Sequence, residues 1–273
     1  PTRPISSAAS DVYKRQVSIP VKHLCSLVIT AFLTGCVVET SGPEPAPVDP
    51  VKALEQRVSL ARQYIGAGDW ENAKRNLELA AAIDADNPDV LEAFALVYQS
   101  TGEFELAESN FKEALDAGAG SRARNNYAAF LYAQGRYLEA AAAFREVTTD
   151  TLYSGRPRAF VNLGLALLQT KETPEAKSAF SRALLMEPRN STALLELTQI
   201  ELTEGDVAAA SGYYERYRAG TRRQTARALI LGVEIARLNG DANLEASNML
   251  ALRNLYDETP IYKAWTAAQK EQR

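Results

Sequence analysis

The sequence predicts an all-α fold in which about six antiparallel helix pairs stack in tandem. Three observations predict it. A Gly or other turn residue recurs at Gly68, Gly102, Gly135, Lys171, Gly205 and Gly240, at intervals of 34, 33, 36, 34 and 35. Five residues after each of the first five anchors stands an Ala, and four residues later an aromatic residue or Leu. Ahead of each anchor, a large residue beside a small one is followed by a third residue one helical turn on. Small residues let two antiparallel helices approach, large ones fill the space beside them, and Gly takes the left-handed turn without steric cost.

The copies can be read in order. Repeat 1 carries Leu60-Ala61 with Tyr64, then Ala73 and Leu77; repeat 2 carries Phe94-Ala95 with Tyr98, then Ala107 and Phe111. Repeat 3 has Tyr127-Ala128 with Leu131, then Ala140 and Phe144; repeat 4 has Leu163-Gly164 with Leu167, then Ala176 and Phe180. Repeat 5 has Leu197-Thr198 with Glu201, then Ala210 and Tyr214. Repeat 4 departs at its turn, with Lys171 and Pro174, although Pro suits the first turn of a helix. Repeat 6, Leu231-Gly232 with Ile235, aligns only if one residue is inserted between Gly240 and Ala246, as befits a terminal cap. The repeats are expected over 53–256, with a capping helix over 257–273 that places Ile261 and Trp265 on one face.

A period near 34 with these positions is the tetratricopeptide signature. The resemblance implies a right-handed α-α superhelix whose concave face is lined by the first helix of each repeat, through its second, fifth, ninth and twelfth positions. Those positions include Val58, Arg62 and Ile65 in repeat 1, and Glu92, Leu96 and Gln99 in repeat 2. Repeat 3 offers Asn125, Ala129 and Tyr132, and repeat 4 offers Val161, Leu165 and Gln169. Val58, Ile65, Leu96, Tyr132, Val161 and Leu165 form an apolar stripe, a candidate seat for an amphipathic helix or extended peptide. The alternative is that they only seal contacts between repeats. Asn126 and Asn162, at the sixth position of consecutive repeats, read either as consensus amides or as clamps on a ligand's main chain. Arg122, Arg124, Arg156, Arg158, Arg222 and Arg223 read first as a solvated face and second as a seat for an acidic peptide.

Composition narrows function. The net charge of −4 over 273 residues argues against nucleic acid as a partner. One His and two Cys leave little for a metal centre or a His-activated nucleophile. Gly118-Ala119-Gly120 does not match a phosphate loop. No cofactor, metal, catalytic residue or small-molecule substrate is expected.

The N-terminal segment reads as an address. Residues 1–16 are expected to be non-native or unstructured, with Val17 a plausible start. Lys22 and His23 precede a short apolar run, Leu24 to Phe32, too short to span a bilayer of about 30 Å but suited to a signal peptide over 17–35. Leu33-Thr34-Gly35-Cys36 closes that run and resembles a bacterial lipobox. The resemblance implies cleavage after Gly35 and lipidation of Cys36, with acyl chains contributing roughly 0.8 kcal/mol per buried CH2. Val37 after the Cys points, for a Gram-negative source, to the periplasmic face of the outer membrane. Removing residues 1–35 would take the net charge from −4 to −7 and remove the one His. Residues 36–52 then form a tether: Glu39 to Pro50 holds four of the twelve Pro, a composition that favours extended polyproline II.

A lipobox, a Pro-rich tether and six tandem repeats, in that order, resemble the type IV pilus biogenesis and stability lipoproteins, the pilotin family of PilF and PilW. The resemblance covers nearly the whole chain from Val17. It implies a non-enzymatic adaptor whose partner is the pilus secretin subunit, which it helps to reach the outer membrane and to form its multimer. The rival reading is a tetratricopeptide lipoprotein of another envelope machine, either outer-membrane protein assembly or a peptidoglycan-hydrolase adaptor.

Overall fold

The computed structural model describes residues 49–271, which hold thirteen α-helices and no strand. They pair as α1 (Pro50–Ala67) with α2 (Trp70–Ala81), α3 (Pro88–Thr101) with α4 (Phe104–Asp116), and α5 (Ser121–Ala133) with α6 (Tyr137–Thr149). Then follow α7 (Arg156–Gln169) with α8 (Thr173–Met186), α9 (Ser191–Glu204) with α10 (Val207–Gly220), and α11 (Ala226–Asn239) with α12 (Ala242–Tyr256). A last helix, α13 (Pro260–Glu271), rests on α11 and α12. This is a tandem tetratricopeptide superhelix of six helix pairs. Residues 1–48, with Gly35, Cys36 and most of the expected tether, lie outside the described residues.

Local chemistry sets the boundaries. Asp49 caps α1 by accepting from the Val51 N–H, and Pro50 follows as a preorganised first residue, so the helix takes in Pro50 to Lys52 from the segment read as tether. Asp69, Asn87, Asn190, Asp206 and Asp241 cap later helices in the same way. The turn anchors Gly68, Gly102, Gly135, Gly205 and Gly240 all have φ between 69° and 89°. Lys171 takes the same left-handed turn at φ 65° despite its side chain, so the turn geometry is imposed by the stacked helices and not by the residue alone.

Packing follows the small-against-large rule. Ala61, Ala95, Ala128 and Thr198 are fully buried seven residues before their anchors. Gly164 lies so close to Phe180 that an added Cβ would come within 2.6 Å of the ring. One apolar core runs from Ala95 in α3 to Ile235 in α11, with Phe111, Phe144, Phe180 and Tyr214 at its centre. Truncating one of these rings to Ala would cost about 3–5 kcal/mol.

Repeat 6 needs no insertion. Ala246 is exposed, and Asn248 and Leu252 are the buried residues of α12, at the register of Asn76 and Ala80 in repeat 1. The room comes from Gly232: the Tyr214 hydroxyl and the Asn248 amide sit where a Cβ would stand. In α13, Tyr262 and Trp265 pack on Leu229 and Leu252, whereas Ile261 is 41% exposed.

Candidate functional site

First helices pack against the first helix of the next repeat (α1 on α3, α3 on α5, α5 on α7, α9 on α11), while second helices pack on the first helices before and after them. The first helices therefore make an inner row, in direct contact at these four junctions. Side chains from two of them converge on Glu92 of a third, α3, which is fully buried. Arg62 of α1 donates to it at 2.7 Å, Asn126 of α5 donates at 2.7 Å, and Arg122 of α5 donates as well. Arg62 and Arg122 also bond the half-exposed Asp89 one turn before Glu92. Burial opposes the charge on Asp89, but the two guanidiniums outweigh it and hold the carboxyl below its ordinary range. A buried carboxylate is tolerated only when paired and hydrogen-bonded, and here one acceptor group ties together three repeats.

Further along the row Glu196 of α9 is gripped by both terminal nitrogens of Arg227 of α11, one of them at 2.8 Å. Between these two ion pairs lies an apolar dimple of about 80 Å³. Ala129 and Tyr132 of α5, Phe144 of α6, and Asn162 and Leu165 of α7 line it. Tyr132 is braced edge-on by Tyr137, with ring centres 5.1 Å apart. Asn162 makes no hydrogen bond to the described residues. A short apolar group beside a free amide is the chemistry of a peptide seat.

The expected groove residues fall into four sets. Ala129, Tyr132, Asn162 and Leu165 meet at the dimple. Val58, Asn125 and Val161 are instead buried, at 2%, 7% and 6% exposure. The fifth position points between neighbouring first helices and not into the groove, so Val58 packs with Leu54, Ala80 and Val90 as core. Arg62 and Asn126 are committed to Glu92. Ile65 and Leu96 are half-buried against the apolar cores, and Gln99 is half-buried on α3.

Of the arginines, Arg124 pairs with Glu146, and Arg156 donates to the Thr148 carbonyl and lies over the Phe160 ring. Arg158, Arg222 and Arg223 form no ion pair among the described residues. The sequence reading missed that Glu92 is a fully buried hub. Its signal was opposite charge about one repeat apart, on first helices at 62, 92 and 122.

A second concavity of about 1010 Å³ opens at the first repeat, between Pro50, Leu54, Arg62, Ile83 and Asp89. Among the described residues no three His, Cys, Asp or Glu side chains are placed to hold a metal ion, and no helix is long and apolar enough to cross a membrane.

Comparison with known proteins follows the same architecture. A tetratricopeptide repeat family profile matches residues 92–157 and 161–225. The type IV pilus assembly protein PilF of Pseudomonas aeruginosa is 36% identical over 251 residues, 90% of this chain and 98% of that one. The solved structure of Pseudomonas aeruginosa PilF superposes with a TM-score of 0.76 at 34% identity, covering 80% of this chain and 99% of that chain. The crystal structure of PilW, a widely conserved type IV pilus biogenesis factor, superposes with a TM-score of 0.69 at 23% identity over 79% of this chain and 99% of that chain. At that identity, PilW speaks for the fold alone.

Proposed function

The chain belongs to the family of the type IV pilus assembly protein PilF, and from that premise we propose that it is an outer-membrane-anchored adaptor for the pilus secretin. In this reading Cys36 carries the lipid, the Pro-rich tether holds the repeats off the periplasmic face of the membrane, and the inner row captures a segment of the secretin subunit. Anchoring two partners to one membrane raises their effective concentration for each other. The groove supplies binding energy and the anchor supplies location; no bond is made or broken.

The observation that carries the binding role is the dimple formed by Ala129, Tyr132, Asn162 and Leu165, an apolar seat with a free amide on the inner row. Affinity purification from membranes tests it, comparing wild type with an Ala129→Glu/Leu165→Glu variant whose helicity is checked by circular dichroism. Secretin recovery is expected to fall at least tenfold. Unchanged recovery would place the binding surface elsewhere, and a wild type that recovers an outer-membrane assembly protein but never secretin would overturn the adaptor assignment. Independently, Cys36→Ser should move the protein from the membrane fraction to the soluble fraction; persistent attachment would remove the anchor.

A further inference from the structure

Successive repeats reuse the same register, which allows one junction to be laid over the next. Glu92 stands ten residues before its turn anchor Gly102, and Asn125 stands ten before Gly135. Arg122 and Asn126 stand thirteen and nine before Gly135, and Arg158 and Asn162 stand thirteen and nine before Lys171. Repeats 2 and 3 thus meet through Glu92, Arg122 and Asn126. Repeats 3 and 4 offer Asn125, Arg158 and Asn162 at the same places.

The first junction is complete: the Glu92 carboxylate accepts from both Arg122 and Asn126. The second has the donors but no carboxylate. Asn125 is neutral where Glu92 is charged, it is more than nine-tenths buried, and its Oδ1 has no hydrogen-bond donor. Arg158 is exposed and forms no ion pair, and Asn162 forms no hydrogen bond, among the described residues. Asn125 and Asn126 are consecutive residues of α5, so the filled and unfilled sites adjoin.

We infer that Arg158 and Asn162 form a receptor for an acidic side chain on an extended segment of the partner protein. The inference rests on the proposed function only in taking the inner row as the partner-binding surface. The carboxylate would take the place that Glu92 fills one repeat earlier, accepting from the Arg158 guanidinium and the Asn162 Nδ2. A main-chain N–H of the same segment would supply the donor that Asn125 Oδ1 lacks. The filled copy holds a glutamate side chain and not a chain terminus, which selects an internal Asp or Glu.

The dimple sets the neighbouring residue. Arg158, Asn162 and Leu165 follow at intervals of four and three on one face of α7. With a rise of about 1.5 Å per residue, the receptor and the dimple lie roughly 5–10 Å apart along the helix. That matches residues two or three apart in an extended chain at about 3.3 Å each. The dimple is apolar and small, about 80 Å³, which suits a branched aliphatic side chain such as Val, Leu or Ile. The recognised segment is therefore acidic, with a branched aliphatic residue two or three positions away.

The test uses the full chain in detergent and fluorescent peptide pools, N-acetylated and C-amidated, with Glu fixed and Val, Leu or Ile two or three residues later. A matched pool carries Gln in place of Glu. The Glu pool is expected to bind at least tenfold tighter, since hydrogen bonds to charged groups are the stronger kind. Asn125→Glu should fill the receptor from within and reduce Glu-pool binding to the Gln level, with an unfolding midpoint equal to or above wild type. Arg158→Gln, at an exposed position, should give the same loss if Asn125→Glu fails to fold. Equal binding of the two pools, or undiminished Glu-pool binding by Asn125→Glu, would overturn the receptor; with the same pools also prepared as C-terminal free acids, binding confined to the free-acid peptides would overturn the side-chain assignment. Failure of the secretin reading looks different: wild type recovers no secretin from membranes while the peptide preference stands.

Discussion

Glu92 and Glu108 belong to the same repeat, on its first and second helices, and both are ringed by cations. Glu92 is fully buried and takes Arg62, Arg122 and Asn126 from the helices on either side. Glu108 keeps 24% of its side-chain surface and takes Arg136 at 2.8 Å, Lys112 at 2.8 Å and the Tyr127 hydroxyl at 3.2 Å. Water shares in the satisfaction of the outer carboxylate and has no access to the inner one. The inner row must therefore supply every donor from protein, and does so by recruiting three repeats. The same kind of ion pair is a structural requirement on the inner row and a modest link on the outer helices.

The largest effect is expected from stranding the inner carboxylate. Arg62→Met/Arg122→Met leaves Glu92 with Asn126 alone and should destabilise the protein by about 3–5 kcal/mol in urea unfolding, because a buried charge has lost its compensation. Adding Glu92→Gln should recover most of that loss. A triple variant as unstable as the double would show that the arginines act through packing and not charge. Arg227→Met should cost less, about 1–3 kcal/mol, because the Glu196 side chain retains 10% exposure and can reach water; a loss equal to that at Glu92 would erase the dependence on burial.

The smallest effect belongs to the outer helices. The Arg136 guanidinium and then Lys112 hold Glu108 at about 2, below its ordinary 4.5. A depressed folded-state value means these pairs contribute above pH 4.5 and lose that contribution as pH falls towards 2. Glu108→Gln should lower stability at pH 7 by less than about 1 kcal/mol, the scale of exposed ion pairs, and should flatten the acid slope of stability between pH 4.5 and 2. An unchanged acid slope would show that Glu108 does not report on the outer surface.

The repeat architecture was legible in the sequence because its determinants are local in register: an Ala, an aromatic residue and a turn Gly at a fixed period. Lys171 could be placed on that period as readily as a Gly. Ala129, Tyr132, Asn162 and Leu165 could be assigned to one surface for the same reason. Val58, Val161 and Asn125 could not be told from groove residues, because their burial depends on how closely one first helix rides on the next. Nor was the role of Asn126 readable. Its partner lies 34 residues away and is brought to it by stacking alone. Repeat 6 misled because its expected Ala is replaced, and the room made by Gly232 belongs to a neighbouring helix.

In a solenoid each repeat ordinarily feels only its immediate neighbours. Glu92 breaks that locality by giving repeats 1 and 3 a common acceptor inside repeat 2. Strain entering at Asp49 reaches α1 first, and α1 cannot peel away without taking Arg62 from the buried Glu92 carboxylate. At the far end α13 contributes no buried residue and can part from the stack at little cost. The molecule is thus mechanically polar, like a rope made fast at one end and left to unravel at the other, and its fast end is the N-terminal one.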